Sequence, residues 1–239
     1  HYPYQGESKW LEHYKDLAHP RNLYAAFVSS TDERIGTLLR KVDDLRLREN
    51  TIIVFQSDHG HSVEERAHGG GGYAGPYRGA KGSMFEGGIR VPAIISWPGH
   101  LPENAVRDRV AHGADWLPTI AELTGARVLN PDLDGKSLVR VIRSAEAPTP
   151  HEVLHWQLGT GETAQWAVRQ GTWKLMGNVR SNTGGRPLGE EDKVLFLSNL
   201  STDPSERANL AKDHPDVVRR LQGLREQWAA RQAGPQNTR

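Results

Sequence analysis

A short apolar run that ends in polar residues constrains this chain most. Residues 51–60 read TIIVFQSDHG, and the β-prone apolar residues Ile52–Phe55 stand together without polar alternation. Such a run is typical of a strand buried on both faces, as in a parallel sheet that is covered by helices. Asp58 and His59 follow the run directly, where open α/β sheets place their ligands. The stretch therefore predicts a buried strand with a functional site at its carboxyl end.

Glycine-rich loops and a second apolar run come next. Residues 75–82 read GPYRGAKG and residues 85–92 read FEGGIRVP, so Lys81 lies on a loop ahead of a predicted strand at Ala93–Trp97. A lone lysine on a loop is usually a solvated charge. On the residues alone, Lys81 is a loop charge between two predicted strands.

The histidines after the first strand allow two kinds of metal site. His59, His61 and His68 form a His-x-His pair with a nearby third histidine, which could bind zinc. The alternative is a hard-cation site in which Asp58 supplies oxygen and its neighbour supplies a second ligand. An imidazole is a poor calcium ligand, so Asp58 is the stronger metal candidate and His59 could instead contact substrate.

Periodicity predicts helices on either side of these strands and a smaller sheet beyond them. Asn22–Arg48 has apolar residues at helical spacing and precedes the first strand, as in one unit of a doubly wound α/β sheet. Prolines at 148 and 150 mark a linker, which divides the chain into residues 1–147 and 148–239. The other predicted elements are helices at Arg109–Thr124 and Pro215–Arg231 and strands at Thr163–Val168, Thr172–Gly177 and Val194–Leu197.

The segment HEVLH at 151–155 matches the zinc-protease signature H-E-x-x-H. That signature requires a helix, so that both histidines share one face. Prolines precede the segment and glycines follow it, which favours a strand. A zinc metalloprotease that uses His151 and His155 is therefore kept only as an alternative function.

The amino-acid composition limits the classes of binding partner that we expect for this chain. The chain has 239 residues, a formal net charge of +1 and no cysteine, so no global field favours nucleic acid and no disulfide or thiolate metal site forms within it. The sequence contains no apolar run long enough to span a bilayer. We expect neither a nucleic-acid nor a membrane partner.

Six motifs together resemble one family. They are the opening HYP, then SDHG, GPYRGAKG, FEGGIRVPAIISWPG, WAVRQGTWKLM and LSNLSTDPSERANLA. In this order the chain resembles the carboxyl-terminal half of the type I, formylglycine-dependent sulfatases of the alkaline phosphatase superfamily. The resemblance implies that residues 1–147 belong to the large doubly wound sheet domain, and that residues 148–239 form a small α+β domain with an antiparallel sheet and a terminal helix.

The resemblance also implies roles for individual residues. It implies that Asp58 is a metal ligand, that Lys81 contacts a sulfate oxygen and the leaving oxygen, and that His1 reaches the sulfate. His59 stands where the family usually has asparagine, so it is a candidate both for the metal and for the ester oxygen. We interpret Glu86 and Arg90 as a structural pair that fixes the turn between them rather than as groups that contact substrate. Further candidates for substrate contact are Arg78, Trp156, Arg169 and Asn178.

The implied activity is the hydrolysis of organic sulfate esters. The resemblance implies a divalent metal, foremost Ca²⁺, and a formylglycine nucleophile in an upstream half, without which this chain would be inactive. The expected partners are that amino-terminal half and a sulfated small molecule or carbohydrate, and the expected location is periplasmic or secreted. The alternatives are a phosphonate or phosphate monoester hydrolase of the same superfamily and a non-catalytic fragment.

Overall fold

The computed structural model describes residues 2–130, 132–182 and 185–232. Its α-helices are α1 (Ser8–His13), α2 (Arg21–Asp44), α3 (Glu86–Ile89), α4 (Trp116–Thr124), α5 (Val139–Arg143), α6 (Glu190–Val194) and α7 (Pro215–Gln232). Its strands are β1 (Ile53–Gln56), β2 (Ala93–Ser96), β3 (Val153–Leu158), β4 (Gln165–Gln170), β5 (Trp173–Gly177) and β6 (Leu195–Asn199). Short 3₁₀ turns occur at Arg48–Asn50, Glu65–Ala67 and Gly113–Asp115.

The chain forms two compact units. The first contains the described residues within His1–Thr37, His59–Val91 and Val153–Arg239, and the second contains Leu38–Asp58 and the described residues within Pro92–Glu152. These units are interleaved in sequence because the loops after β1 belong to the first unit. The boundary at 147/148 concerns the domains of a larger fold and stays a prediction.

A four-stranded antiparallel sheet organises the first unit. Its order is β3-β4-β5-β6, so each strand pairs with its neighbour in the chain. Side chains alternate between the faces of a strand, and both faces of this sheet are covered. One face packs Ala167, Met176 and Phe196 against Phe85, and the other packs Val168, Leu175 and Leu197 against Val217 and Leu221 of α7.

The second unit contains a two-stranded antiparallel sheet. β1 pairs with β2, with Val54 opposite Ile95 and Phe55 opposite Ile94. The expectation of a parallel strand buried on both faces is therefore wrong for this pairing, and Phe55 and Ile94 are 44% and 59% exposed. An apolar run without alternation indicates two apolar faces, and it specifies neither the direction of the neighbouring strand nor what covers it.

A buried carboxylate holds the remaining loops of the second unit. Asp115 is fully buried and accepts hydrogen bonds from the backbone N–H groups of His112 and Lys136 at 2.7 and 2.8 Å. Its Oδ1 also lies 2.7 Å from Nε2 of His151. Helix α4 starts directly after Asp115, so Pro118 falls in its first turn, where proline is tolerated. The side chain of Asp115 thus caps the 3₁₀ turn Gly113–Asp115 rather than α4.

No helix within the described ranges is both long enough and apolar enough to cross a bilayer. The two long helices, α2 and α7, are amphipathic and carry charged residues along their exposed faces.

Candidate functional site

Two glycines shape the loop that carries Lys81. The chain from Arg78 to Arg90 folds back on itself, and Gly87 N–H donates to the carbonyl oxygen of Arg78 at 2.7 Å. A Cβ on Gly87 would lie 2.4 Å from the carbonyl oxygen of Gly79, and one on Gly88 would lie 2.2 Å from that of Ser83. No other residue fits such close backbone packing, which makes the loop compact.

Lys81 lies in a turn of this loop, and its side chain is 25% exposed. Its ammonium is 3.3 Å from Oε2 of Glu64, whose carboxylate also accepts hydrogen bonds from Ser62 and Arg66. Hydrogen bonds from Arg66 and Ser62, and then from Lys81, lower the pKa of Glu64 to about 2. Glu64 is therefore anionic at neutral pH and keeps a negative charge beside Lys81. The sequence motifs did not predict this neighbour.

His59 lies beside the same loop. Gly60 N–H donates to the carbonyl oxygen of Gly88 at 3.0 Å, and Lys81 N–H donates to that of His61 at 3.0 Å. Nδ1 of His59 is 2.8 Å from the carbonyl oxygen of Gly60, to which it can only donate. In the neutral ring the lone pair therefore resides on Nε2, the nitrogen that would bind a metal or accept a proton.

Asp58 lies just past the end of β1 and is the last residue of the Leu38–Asp58 segment of the second unit, whereas His59 begins the His59–Val91 segment of the first. The predicted position of Asp58 past a strand end is confirmed. Among the described residues no group of three His, Cys, Asp or Glu side chains could hold a metal ion. Asp58 suits a hard cation as one oxygen ligand, but these residues do not complete a coordination shell.

Arg78 was expected to contact substrate, and its observed contacts are internal. Its side chain is buried and donates to Ser181 Oγ and to the carbonyl oxygens of Arg186 and Glu206 at 3.2, 2.8 and 3.4 Å. The guanidinium also lies 4.2 Å from the centre of the Phe85 ring. These contacts favour a structural role that attaches the Lys81 loop to the segments that follow β5 and β6.

A buried ion cluster joins the same loop to β5. The ammonium of Lys174 is fully buried and lies 2.8 Å from Oε1 of Glu86, 2.8 Å from Oε1 of Glu206 and 3.0 Å from the carbonyl oxygen of Met84. Glu206 also accepts the backbone N–H of Glu86 at 2.6 Å. The predicted ion pair of Glu86 with Arg90 is present but longer, at 3.8 Å. A lysine inside the apolar strand WKLMG was the sequence signal for this cluster, and it was missed.

Burial and the Lys174 charge act in opposite directions on the two carboxyl groups. Burial by itself would raise the pKa of Glu86, but the charge and hydrogen bond of Lys174 outweigh it, and the pKa is lowered. For Glu206 burial dominates, and the pKa is raised despite Lys174. Lys174 thus offsets the effect of burial fully at Glu86 and only in part at Glu206.

The remaining substrate candidates lie on or next to the small sheet. Trp156 of β3 packs against the core formed by Phe85 and its neighbours. Arg169 lies 4.0 Å from Glu86, and its Nε donates to the carbonyl oxygen of Gly171. Asn178 donates to the carbonyl oxygens of Glu162 and Ala164. His1 lies outside the described residues.

The zinc-protease signature falls on a strand. β3 begins at Val153, so His151 and His155 do not share the face of one helix. His151 bonds to Asp115, whereas the ring of His155 stacks on Trp228 at 5.2 Å. Burial, with the charges of Arg225 and Arg231, lowers the pKa of His155 to about 4. This local structure contradicts the protease alternative and confirms the predicted strand.

Comparison with known proteins supports the family resemblance that the sequence motifs indicated. A family model described as Sulfatase matches residues 1–126. Arylsulfatase A from Bos taurus is 33% identical over 223 residues, which cover 85% of this chain and 43% of that protein. The crystal structure of Ps i-CgsB superposes with a TM-score of 0.79 at 26% identity, over 95% of this chain and 47% of that one. The same protein in complex with k-i-k-neocarrahexaose gives a TM-score of 0.77 at 25% identity, over 95% and 47% of the two chains.

The chain thus spans about half the length of the relatives it matches. The family model covers more than half of the chain and includes the β1 strand end, the Lys81 loop and the Glu86–Arg90 turn. On these grounds the chain belongs to the sulfatase family.

Proposed function

We propose that this chain forms the carboxyl-terminal half of a sulfuric ester hydrolase and supplies Asp58, His59 and Lys81 to its active site. The observation that carries the proposal is the match of the sulfatase family model to residues 1–126, which contain all three side chains. The compact Lys81 loop supports it, because a preorganised cation stabilises developing negative charge without reorganising.

Lys81 would act on the leaving group. Cleavage of a sulfate ester breaks the S–O bond and leaves negative charge on the departing oxygen. The Lys81 ammonium lies 3.3 Å from Oε2 of the anionic Glu64, which gives the ammonium a fixed neighbour at the loop. A charged Lys81 would offset the developing charge through an interaction that strengthens in the transition state.

His59 would act at the same oxygen or at the sulfate. Its Nδ1–H is committed to the carbonyl of Gly60, which fixes the ring orientation and makes Nε2 the chemically useful nitrogen. A protonated Nε2 would donate to an ester oxygen, and a neutral one would bind a metal. Substrate contact is favoured, because imidazole is a poor ligand for the calcium that the family resemblance suggests.

Two groups of the family chemistry need residues beyond those described. The resemblance assigns attack on sulfur to a formylglycine and the binding of sulfate oxygens to a divalent metal. The chain contains no cysteine or serine in the C/S-x-P-x-R context of a formylglycine precursor, and Asp58 would be one oxygen ligand of an incomplete shell. We propose that an amino-terminal half provides the nucleophile and the other ligands.

The exposed strands support such a partner. Phe55 and Ile94 face solvent in β1 and β2, although an α/β sheet normally buries such residues. An amino-terminal half that continues the sheet would cover them. The proposed substrates are sulfated carbohydrates or small molecules, and export to the periplasm or the cell exterior stays a proposal from the family.

The test is a pair of assays with a protein that unites both halves. Chromogenic sulfate, phosphate monoester and phosphonate ester substrates are compared at equal concentration. We expect the sulfate ester to be preferred and this chain alone to show no steady turnover. A preference for the phosphate or phosphonate ester would assign the chain to the related hydrolase class instead, and turnover by the chain alone would contradict the division of the site.

A further inference from the structure

Side chains of the small sheet and of the segment after β5 form hydrogen bonds with the backbone around Lys81. Asn182 makes two hydrogen bonds with it: its Oδ1 accepts the backbone N–H of Ala80 at 3.1 Å, and its Nδ2 donates to the carbonyl oxygen of Lys81 at 2.6 Å. The amide group is suited to this task because it offers a donor and an acceptor side by side. A carboxylate or an apolar side chain of the same size could satisfy at most one of the two.

A second side-chain amide, that of Gln165, bonds to the backbone of the next residue, Gly82. Gln165 at the start of β4 is buried, and its Nε2 donates to the carbonyl oxygen of Gly82 at 3.1 Å. Gly82 has a φ of +85°, a conformation that fits glycine best, so this turn has a defined shape. Three consecutive residues, Ala80, Lys81 and Gly82, are thus held by two side chains from the carboxyl-terminal part of the chain.

The segment after β5 and the strand β5 itself hold the rest of the loop. Ser83 Oγ donates to the carbonyl oxygen of Arg180, and Lys174 donates to that of Met84. Asn182 and Gln165 differ from these residues because they bond to the backbone of Lys81 or of its direct neighbours. Neither lies within residues 1–126, where the family model matches.

We propose that Asn182, assisted by Gln165, is a positioning residue for Lys81. This inference rests on the proposed function, in which Lys81 contacts the reacting oxygens. The flexible lysine side chain is only as well placed as the backbone from which it extends. An amide bonded on both sides of that backbone fixes the origin of the side chain and so the position of the ammonium.

The test is a double-mutant cycle in the complete sulfatase, with Asn182→Ala, Lys81→Ala and the double variant. We expect Asn182→Ala to lower kcat by about 10- to 100-fold with little change in KM, because misplacement by about 1 Å can cost up to about 10²-fold. In the Lys81→Ala background the same change should cost less than about 2-fold, since its effect acts through Lys81. Asn199→Ala is the matched control, because this amide bonds within its own turn to Ser201.

Two further measurements keep the outcomes distinct. Exchange of the Ala80 amide hydrogen should accelerate in Asn182→Ala, and Gln165→Met repeats the cycle if Asn182→Ala fails to fold. An unchanged kcat, or a loss that persists in full in the Lys81→Ala background, would overturn the positioning role alone. A sulfatase whose kinetics do not respond to Lys81→Ala would overturn the proposed role of Lys81, and the inference with it.

Discussion

The two sheets of this protein differ in how the hydrophobicity of their strands relates to burial, and the relation is opposite to the usual one. β1 and β2 read IVFQ and AIIS, yet Phe55 and Ile94 are 44% and 59% exposed. β5 reads WKLMG and carries a charged residue, yet Lys174 within it is fully buried. The strands that consist almost entirely of apolar residues are the more exposed ones here.

The difference shows that burial depends on what a strand packs against. The face of β5 that carries Lys174 meets the Lys81 loop, whose Glu86 pairs with the ammonium and whose Met84 carbonyl accepts a hydrogen bond from it. Glu206, from the segment after β6, is its second acidic partner. A charge is stable in a core when it is paired and fully hydrogen bonded. β1 and β2 have only each other as described sheet neighbours.

The largest effect should come from removing the buried charge. Lys174→Met keeps the approximate length of the side chain but leaves Glu86 and Glu206 without their cation. We expect the free energy of unfolding to fall by about 3–5 kcal/mol, as when one partner of a buried pair is lost. Denaturant titration of the complete protein measures it.

Two variants sharpen this result. Lys212→Met removes an exposed lysine that pairs with Glu191 and should change stability by less than about 0.5 kcal/mol. Adding Glu206→Gln to Lys174→Met should restore part of the loss, because one unpaired carboxylate is gone. Equal effects of Lys174→Met and Lys212→Met would mean that the cluster contributes nothing.

A smaller effect is expected at the exposed sheet. In the complete sulfatase we expect Ile94→Asp to destabilise the protein by about 1.5–3 kcal/mol, since the amino-terminal half would bury that side chain. Val106→Asp is the control, because Val106 is 80% exposed in a loop. If both variants unfold at the same denaturant concentration as wild type, Ile94 stays exposed and the sheet does not continue across it.

The smallest effect at neutral pH is expected at His155 of β3, an edge strand of the covered sheet, because it appears only on acidification. The pKa of His155 is about 4 in the folded protein, below its unfolded value of about 6.5, so the unfolded state binds the proton first as pH falls. The stability that His155 contributes is therefore complete above about pH 6.5 and is lost toward pH 4. His155→Phe keeps an aromatic ring to stack on Trp228 but cannot bind a proton. We therefore expect the Tm of this variant to depend less on pH between about 4 and 6.5 than that of wild type.

The exposed His13 serves as the control for that series. A pH dependence that is unchanged in His155→Phe, or that disappears equally in His13→Phe, would show that other groups govern acid unfolding in this range.

Periodicity in the sequence was enough to find most elements of the small sheet and its helix. The predicted helix Pro215–Arg231 is observed as Pro215–Gln232, and the ends of the predicted strands all lie within two residues of those of β4, β5 and β6. Helix α6 was read as a loop, because five mostly charged residues carry no periodic apolar signal. The exposure of side chains in β1 and β2 could not be predicted from the sequence, because it depends on which distant parts of the chain pack against these strands.

The candidate site was predictable where chemistry is local. Motif spacing singled out Asp58, His59 and Lys81, whose roles stay predictions. Glu64, Asn182 and the partners of Lys174 were not predictable, because a side chain such as Glu86 meets Lys174 across 88 positions of sequence. Arg78 illustrates the limit, since its motif suggested substrate and its contacts are internal.

The central claim is that Lys81 contributes to sulfate ester hydrolysis. The most direct measurement is kcat/KM of the complete sulfatase on a chromogenic sulfate ester for wild type, Lys81→Ala and Lys212→Ala. We expect Lys81→Ala to lower kcat/KM by about 10²-fold or more at unchanged stability, as for loss of a transition-state charge contact, and Lys212→Ala to match wild type. Equal kinetics for all three proteins would contradict the claim and reduce Lys81 to a solvated charge on a well-packed loop.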